Sequence, residues 1–143
     1  MYQKNLNGIP ENVARGKQSE EFMKEIIEQA LGVKLRKTKL KYCLFDFVSK
    51  DPLIKVELKG RRVNKNQYPT TMIGYNKVKE GLRLVERGYE IYFFFQFTDE
   101  ICFYQLTKDT YNDDWIKPFN MQGNKPYYYI PVKELEDIEF EDE

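Results

Sequence analysis

The chain has 143 residues with 23 basic and 23 acidic side chains, a length that suits one ordinary domain around one core and excludes two comfortable ones. It holds no histidine, which rules out His-based triads, His general acid/base chemistry and His-containing zinc sites, and leaves carboxylates, Lys, Tyr or a hard metal for any catalysis. Tyr, Phe and Trp number 11, 10 and 1 and cluster with Ile, Leu and Val, which excludes a disordered chain.

Within residues 19–31, Phe22, Met23, Ile26, Ile27, Ala30 and Leu31 recur at helical spacing and share one face of a helix that Gly32 ends. Residues 40–48 and 53–58 read as strands joined by the turn-forming cluster Ser49-Lys50-Asp51-Pro52, a β-hairpin. Residues 64–69 are polar and turn-rich. Beyond them Ile73, Tyr75, Val78, Leu82 and Val85 keep a helical period up to Gly88, which predicts a second helix. The segment 89–97 is too aromatic and continuous for an exposed element; it predicts a buried, central strand, with 101–106 as its hairpin partner. Residues 107–126 show no period and read as a loop or excursion, 127–132 as a last short strand, and the acidic tail as a frayed turn. The order α-β-β-α-β-β with a late strand is that of one α/β domain, residues 1–143, with one mixed sheet.

Neutrality hides an asymmetry. Seven of the 23 acidic residues (Glu134, Glu136, Asp137, Glu139, Glu141, Asp142 and Glu143) fall in the last ten positions with no base among them, which leaves the first 133 residues at a net +7. Lys34, Arg36, Lys37, Lys39 and Lys41 form one basic stripe, and Lys55, Lys59, Arg61, Arg62 and Lys65 another; such stripes suit phosphates, and they also protect solvated strand edges. Cys43 and Cys102 sit in apolar runs and read as small buried hydrophobes of a reducing compartment. No apolar run approaches the ~20 residues that cross a bilayer, and residues 1–15 lack the apolar segment of a secretory signal. The expectation is a cytoplasmic protein with no membrane partner.

The segment 46–59 carries the chemistry. A hairpin turning between Asp51 and Pro52 pairs residues whose numbers sum to 103, so Asp46 faces Glu57, and Lys59 points the same way. Asp51, at the tip, reads as an ordinary turn residue. Ile54, Val56 and Leu58 occupy the other face, so the alternation turns Lys55, Glu57 and Lys59 away from one layer of core. Removal of Glu57 or of Lys59 is therefore expected to leave the fold intact. Opposed carboxylates repel unless a cation offsets them. Mg²⁺ takes oxygen ligands, is typically held by one or two carboxylates, and leaves the rest of its shell to water and phosphate. A lysine beside it stabilises the charge that develops in phosphodiester hydrolysis, so removal of Glu57 or of Lys59 is expected to abolish such cleavage.

The segments GKQSE, FDF, VELK, MIGYNKVKEGLRLVERG and YEIYFFFQF follow in that order, and with them the chain resembles the PD-(D/E)XK nuclease superfamily. Its start, Gly16-Lys17-Gln18-Ser19-Glu20 followed by Met23, Ile26 and Ile27, is similar to the G-x-x-x-E signature of archaeal Holliday junction resolvases, and its compactness to small phage endonucleases. Phe45 replaces the motif's proline. The resemblance covers roughly residues 14–106; 107–143 form a C-terminal extension without a counterpart. It implies a restriction-endonuclease-like α/β core, a central mixed sheet flanked by helices in the order αβββαβ. It further implies Glu20, Asp46, Glu57 and Lys59 as catalytic residues, and Asp46, Glu57, Leu58 and Glu20 as the residues of a metal site for Mg²⁺, with Mn²⁺ as substitute. The implied activity is a Mg²⁺-dependent endodeoxyribonuclease, in the host-cell cytoplasm if phage-encoded, acting on branched or junction DNA. Sequence-specific homing or restriction-type cleavage and a catalytically silent nucleic-acid-binding module are the alternatives.

Lys17, Arg61, Arg62, Lys65 and Gln67 are the candidate DNA contacts, whereas Lys77 and Lys79 read as a solvated helix face and 92–97 as core. Glu20 and Glu21, with Ser19 as cap, also suit a helix N-terminus for purely structural reasons. Two DNA strands require two cuts, so a homodimer or higher even oligomer is expected, with Trp115, Phe119, Met121, Tyr127, Tyr128 and Tyr129 as interface candidates.

Overall fold

A computed structural model describes residues 20–38, 44–118 and 125–138. Helix α1 (Glu20–Leu31) carries two carboxylates in its first turn, where the helix dipole favours them. It ends where Gly32 adopts φ +69° and its N–H returns to the Glu28 carbonyl at 2.8 Å. Then follow β1 (Arg36–Lys37), β2 (Phe47–Lys50), β3 (Leu53–Gly60), β4 (Thr70–Gly74), α2 (Tyr75–Glu86), β5 (Glu90–Gln96), β6 (Ile101–Leu106), β7 (Ile116–Pro118), β8 (Pro126–Pro131) and β9 (Glu136–Asp137). Single 3-10 turns at Asp113–Trp115 and Val132–Glu134 precede β7 and β9.

The expected α/β core with a mixed sheet is present. Six strands run in the order β1-β2-β3-β5-β6-β9, with β3 and β5 parallel and the other neighbours antiparallel. The β2–β3 hairpin has the register read from its turn: Phe47 faces Val56 and Lys50 faces Leu53. Strand β5 lies centrally and explains its own composition. Its odd-numbered residues Ile91, Phe93 and Phe95 pack in one core layer with Val78 and Leu84 of α2, while Tyr92 and Phe94 pack in the other with Met23, Ile26 and Ile27 of α1. A strand covered on both faces reads as an unbroken apolar run.

Four expectations are corrected. The sheet is not single: β4, β8 and β7 form a separate three-stranded sheet whose Ile73, Tyr128 and Ile130 join the α2 layer. Ile73 therefore belongs to a strand, and α2 starts only at Tyr75; a period that matched a helix included a residue whose partner is Tyr128 across the β4–β8 ladder. The tail does not simply fray, because Glu136 and Asp137 pair with Phe103 and Cys102 of β6. Tyr128, an interface candidate, is fully buried in its own chain, its hydroxyl 2.8 Å from that of Tyr104. Trp115 packs against the same core, Tyr127 and Tyr129 are half-buried, and Phe119 and Met121 lie outside the described residues, as do Lys17, Ser19, Cys43, the predicted strand start at 40–43 and the tail from 139.

Candidate active site

Asp46 immediately precedes β2. The ladder ends one pair earlier, at Phe47 and Val56, and Asp46 instead sends its N–H to the Val56 carbonyl at 2.8 Å. Its carboxylate turns onto β3, where Oδ2 accepts the Leu58 N–H at 2.8 Å. Thr38, just after β1, holds the Asp46 carbonyl from the other side through its N–H at 2.9 Å. The aspartate is thus fixed by links to three backbone groups, one of them the amide of the residue that separates Glu57 from Lys59 on β3.

Glu57 sits on β3 opposite Phe93 of the parallel strand β5, so it shares the α2-facing layer. It is only 2% exposed, which corrects the expected solvent-directed face at this position: Lys77 of α2 comes down onto it, while Lys55 and Lys59 stay partly exposed. Gly81 allows this approach. A Cβ there would stand 2.8 Å from Leu106 Cδ2 and 3.2 Å from Ile91 Cγ2, closer than packed carbons tolerate. The helix thereby sits down on the sheet and brings Lys77, in its first turn, onto Glu57.

Glu57 Oε2 receives both ammonium groups, a hydrogen bond from Lys77 Nζ and an ion pair with Lys59 Nζ at 3.3 Å. Oε1 is buried and has no hydrogen-bond partner among the described residues. Burial pushes the Glu57 carboxyl above its ordinary value, the Lys77 hydrogen bond pulls it back, and the nearby Asp46 charge raises it further. A bare carboxylate oxygen on a residue that feels the charge of a second carboxylate, in a site without sulfur or imidazole, is a donor set for a hard divalent cation. Glu57 Oε1 and the Asp46 carboxylate fit such an ion, because the lysines and the Leu58 amide engage the other oxygens.

Glu20 is exposed and its carboxylate is bonded by Lys37 of β1. The residue after Lys37, Thr38, is the one that bonds the Asp46 carbonyl. The basic residues after β3 divide. Arg61 is occupied internally: its guanidinium donates to Thr71 Oγ1 at 3.3 Å, to the Gly60 carbonyl at 3.1 Å and to the Met72 carbonyl, and lies over the Phe95 ring. Burial lowers its pKa while the Glu57 charge opposes that shift. Lys65 donates to Asp137 Oδ1 at 2.7 Å. Arg62 and Gln67 are exposed.

Lys77 is the residue that sequence reasoning missed, and its signal was present. It lies on the stripe 77, 78, 81, 84, 85 whose other members are buried or half-buried, whereas Lys79 lies off that stripe and is exposed. A second acidic group, Glu100, Cys102 and Asp137, gathers at the β6–β9 edge. Burial and the adjacent Asp137 push the Cys102 thiol far up, so it stays protonated and donates to Asp137 at 3.2 Å; a thiol ligand must be deprotonated, and Lys65 already neutralises Asp137.

A family model described as "Phage putative PDDEXK endonuclease" matches residues 11–138, a stretch that includes Glu20, Asp46, Glu57, Lys59 and most of the segment beyond residue 106. No curated protein matches the chain.

Proposed function

The chain belongs to this phage PDDEXK endonuclease family, and from that premise we propose that it is a divalent-metal-dependent endodeoxyribonuclease using Mg²⁺, or Mn²⁺ in its place, on branched or junction DNA, as a homodimer or higher even oligomer. The observation that carries the reading is Glu57 Oε1, a buried carboxylate oxygen that has no hydrogen-bond partner among the described residues, on a group that feels the Asp46 charge. Leaving such a group unsatisfied costs roughly 1–3 kcal/mol or more, a penalty that a fold retains where a ligand removes it. When bound, the ion supplies Lewis-acid polarisation of the phosphate and acidification of a water.

The chain's own residues do the rest. Asp46 and Glu57 would hold the cation, the Leu58 amide fixes the Asp46 rotamer, and the Lys77 hydrogen bond offsets part of the burial that raises the Glu57 carboxyl. Lys59 is the more exposed of the two lysines on Glu57, 34% against 21% for the side chains. It is therefore the ammonium that meets the substrate phosphate and the charge developing on it. The α1 layer excludes solvent from the far side of the sheet. The deciding assay incubates supercoiled plasmid, linear duplex, single strands and a four-way junction with Mg²⁺, Mn²⁺ or EDTA. Cleavage that needs the metal and disappears in Glu57→Gln and Lys59→Ala supports the reading; cleavage in EDTA, or none on any DNA, refutes it.

A further inference from the structure

The segment leaving β3 is held unusually firmly for a surface loop. The Arg61 N–H bonds the Gln96 carbonyl at 2.9 Å, the Val63 carbonyl accepts from Thr98 at 3.1 Å, the Lys65 N–H bonds Asp99 Oδ1 at 2.9 Å, and the Pro69 carbonyl accepts from Val132 at 2.9 Å. Asn64 and Lys65 add side-chain links to Thr98 and Asp137. On this pinned loop stands Tyr68, 56% exposed and the most exposed large apolar side chain among the described residues. It borders an open groove of about 440 Å³ with Pro69, Met72, Phe97 and Tyr129 as apolar wall and Asn64 and Thr70 as polar edge. Arg61 closes the end nearest Glu57 and Arg62 lies exposed on the rim.

We infer that this groove is a stacking site for one unpaired nucleobase of the DNA, with Tyr68 as the stacking ring and Arg62 as the contact to the adjoining phosphate. The inference rests on the nuclease reading above. Four features select that occupant. Arg61, the first groove residue along the chain, lies four residues beyond Glu57, roughly 13 Å, which is about the span of four stacked nucleotides; one strand held at Asp46 and Glu57 therefore reaches the groove. An aromatic face with an apolar wall takes any base, and every base has such a face only when it is not sandwiched in a duplex. Asn64 and Thr70 offer hydrogen-bonding groups at the edge, where an unpaired base exposes its own. The pinned loop presents Tyr68 already ordered, so stacking is not offset by loop entropy. Single exposed tyrosines need no explanation elsewhere; one on a rigid loop at the exit of the metal-site strand does.

The test compares wild type, Tyr68→Ala and Tyr68→Phe on two fluorescein-labelled probes in Ca²⁺. One is a fully paired duplex, and the other is the same duplex with a single bulged 2-aminopurine. Wild type and Tyr68→Phe are expected to bind the bulged probe about 10-fold more tightly than Tyr68→Ala does, within the range for one stacked base, and to change its 2-aminopurine emission. Binding to the paired duplex should agree within about twofold across all three. Equal affinity of wild type and Tyr68→Ala for the bulged probe, with DNA cleavage in Mg²⁺ intact, overturns the stacking site and leaves the nuclease reading standing. Equal losses on both probes overturn it in favour of a general surface contact. A change of mass in light scattering for Tyr68→Ala overturns it in favour of self-association. Wild type that neither binds nor cuts any DNA removes the nuclease reading itself.

Discussion

Metal addition should raise the melting temperature, and the size of the rise can be worked from the site. In the metal-free protein, Glu57 Oε1 is buried without a hydrogen-bond partner among the described residues, and the carboxyl is pushed up by its burial. An ion held by Glu57 and Asp46 would satisfy that oxygen and remove a penalty of roughly 1–3 kcal/mol. For 143 residues the unfolding entropy is ~0.3 kcal/mol/K, so saturation should raise the melting temperature by about 3–10 °C. The pH dependence has a definite sign. A carboxyl raised in the folded state contributes stability that is fully present below its ordinary value of 4.5 and lost as pH rises through the raised value. The metal-free protein therefore weakens above the ordinary carboxylate range, and the metal-induced rise grows over the same interval because the ion needs ionised Glu57. Differential scanning calorimetry in EDTA and in saturating Mn²⁺, at acidic and neutral pH, measures both. A rise that survives in Glu57→Gln or in Asp46→Asn would falsify the assignment, as would its absence in wild type at neutral pH.

The remaining predictions concern individual side chains. Lys59→Ala should lower kcat by about 100-fold or more while the melting temperature stays within ~2 °C, since the ammonium is partly exposed; Glu57→Ala, unlike the isosteric Gln, should also destabilise, because it opens a buried space and strands Lys77. Lys77→Met should move the acid limb of the pH–rate profile to higher pH, because the bond it removes is one that favours ionised Glu57; a uniform loss of rate across pH would make Lys77 merely structural. Arg61→Ala should cost about 1–3 kcal/mol of stability in urea melts, whereas Arg62→Ala should leave stability unchanged and weaken DNA binding with a shallower salt dependence. Light scattering should give at least twice the 17.2 kDa chain mass; the mass of a single chain, unchanged when DNA is added, would exclude paired cutting.

Local chemistry made much of this protein legible. The Asp51-Pro52 turn and the strict alternation after it set the β2–β3 register, because a turn of defined length and a two-residue side-chain period leave one pairing that keeps Ile54 and Val56 together. The stripe of Met23, Ile26 and Ile27 and the run 91–95 likewise carry their burial in their own spacing. Asp46, Glu57 and Lys59 were visible for the same reason, as near neighbours across one hairpin. What could not be read locally depends on which element covers which face. Alternation says that Glu57 and Val56 point oppositely, but not that both directions lead into a core; that follows from α2 lying close over the sheet at Gly81. Lys77 comes to Glu57 by the same packing across 20 residues of chain, Ile73 becomes a strand residue because β8 pairs with it, and Tyr128 is core because β4 and Tyr104 enclose it. Long-range pairings of this kind are chosen by the total surface they bury, a quantity that no single segment of sequence contains.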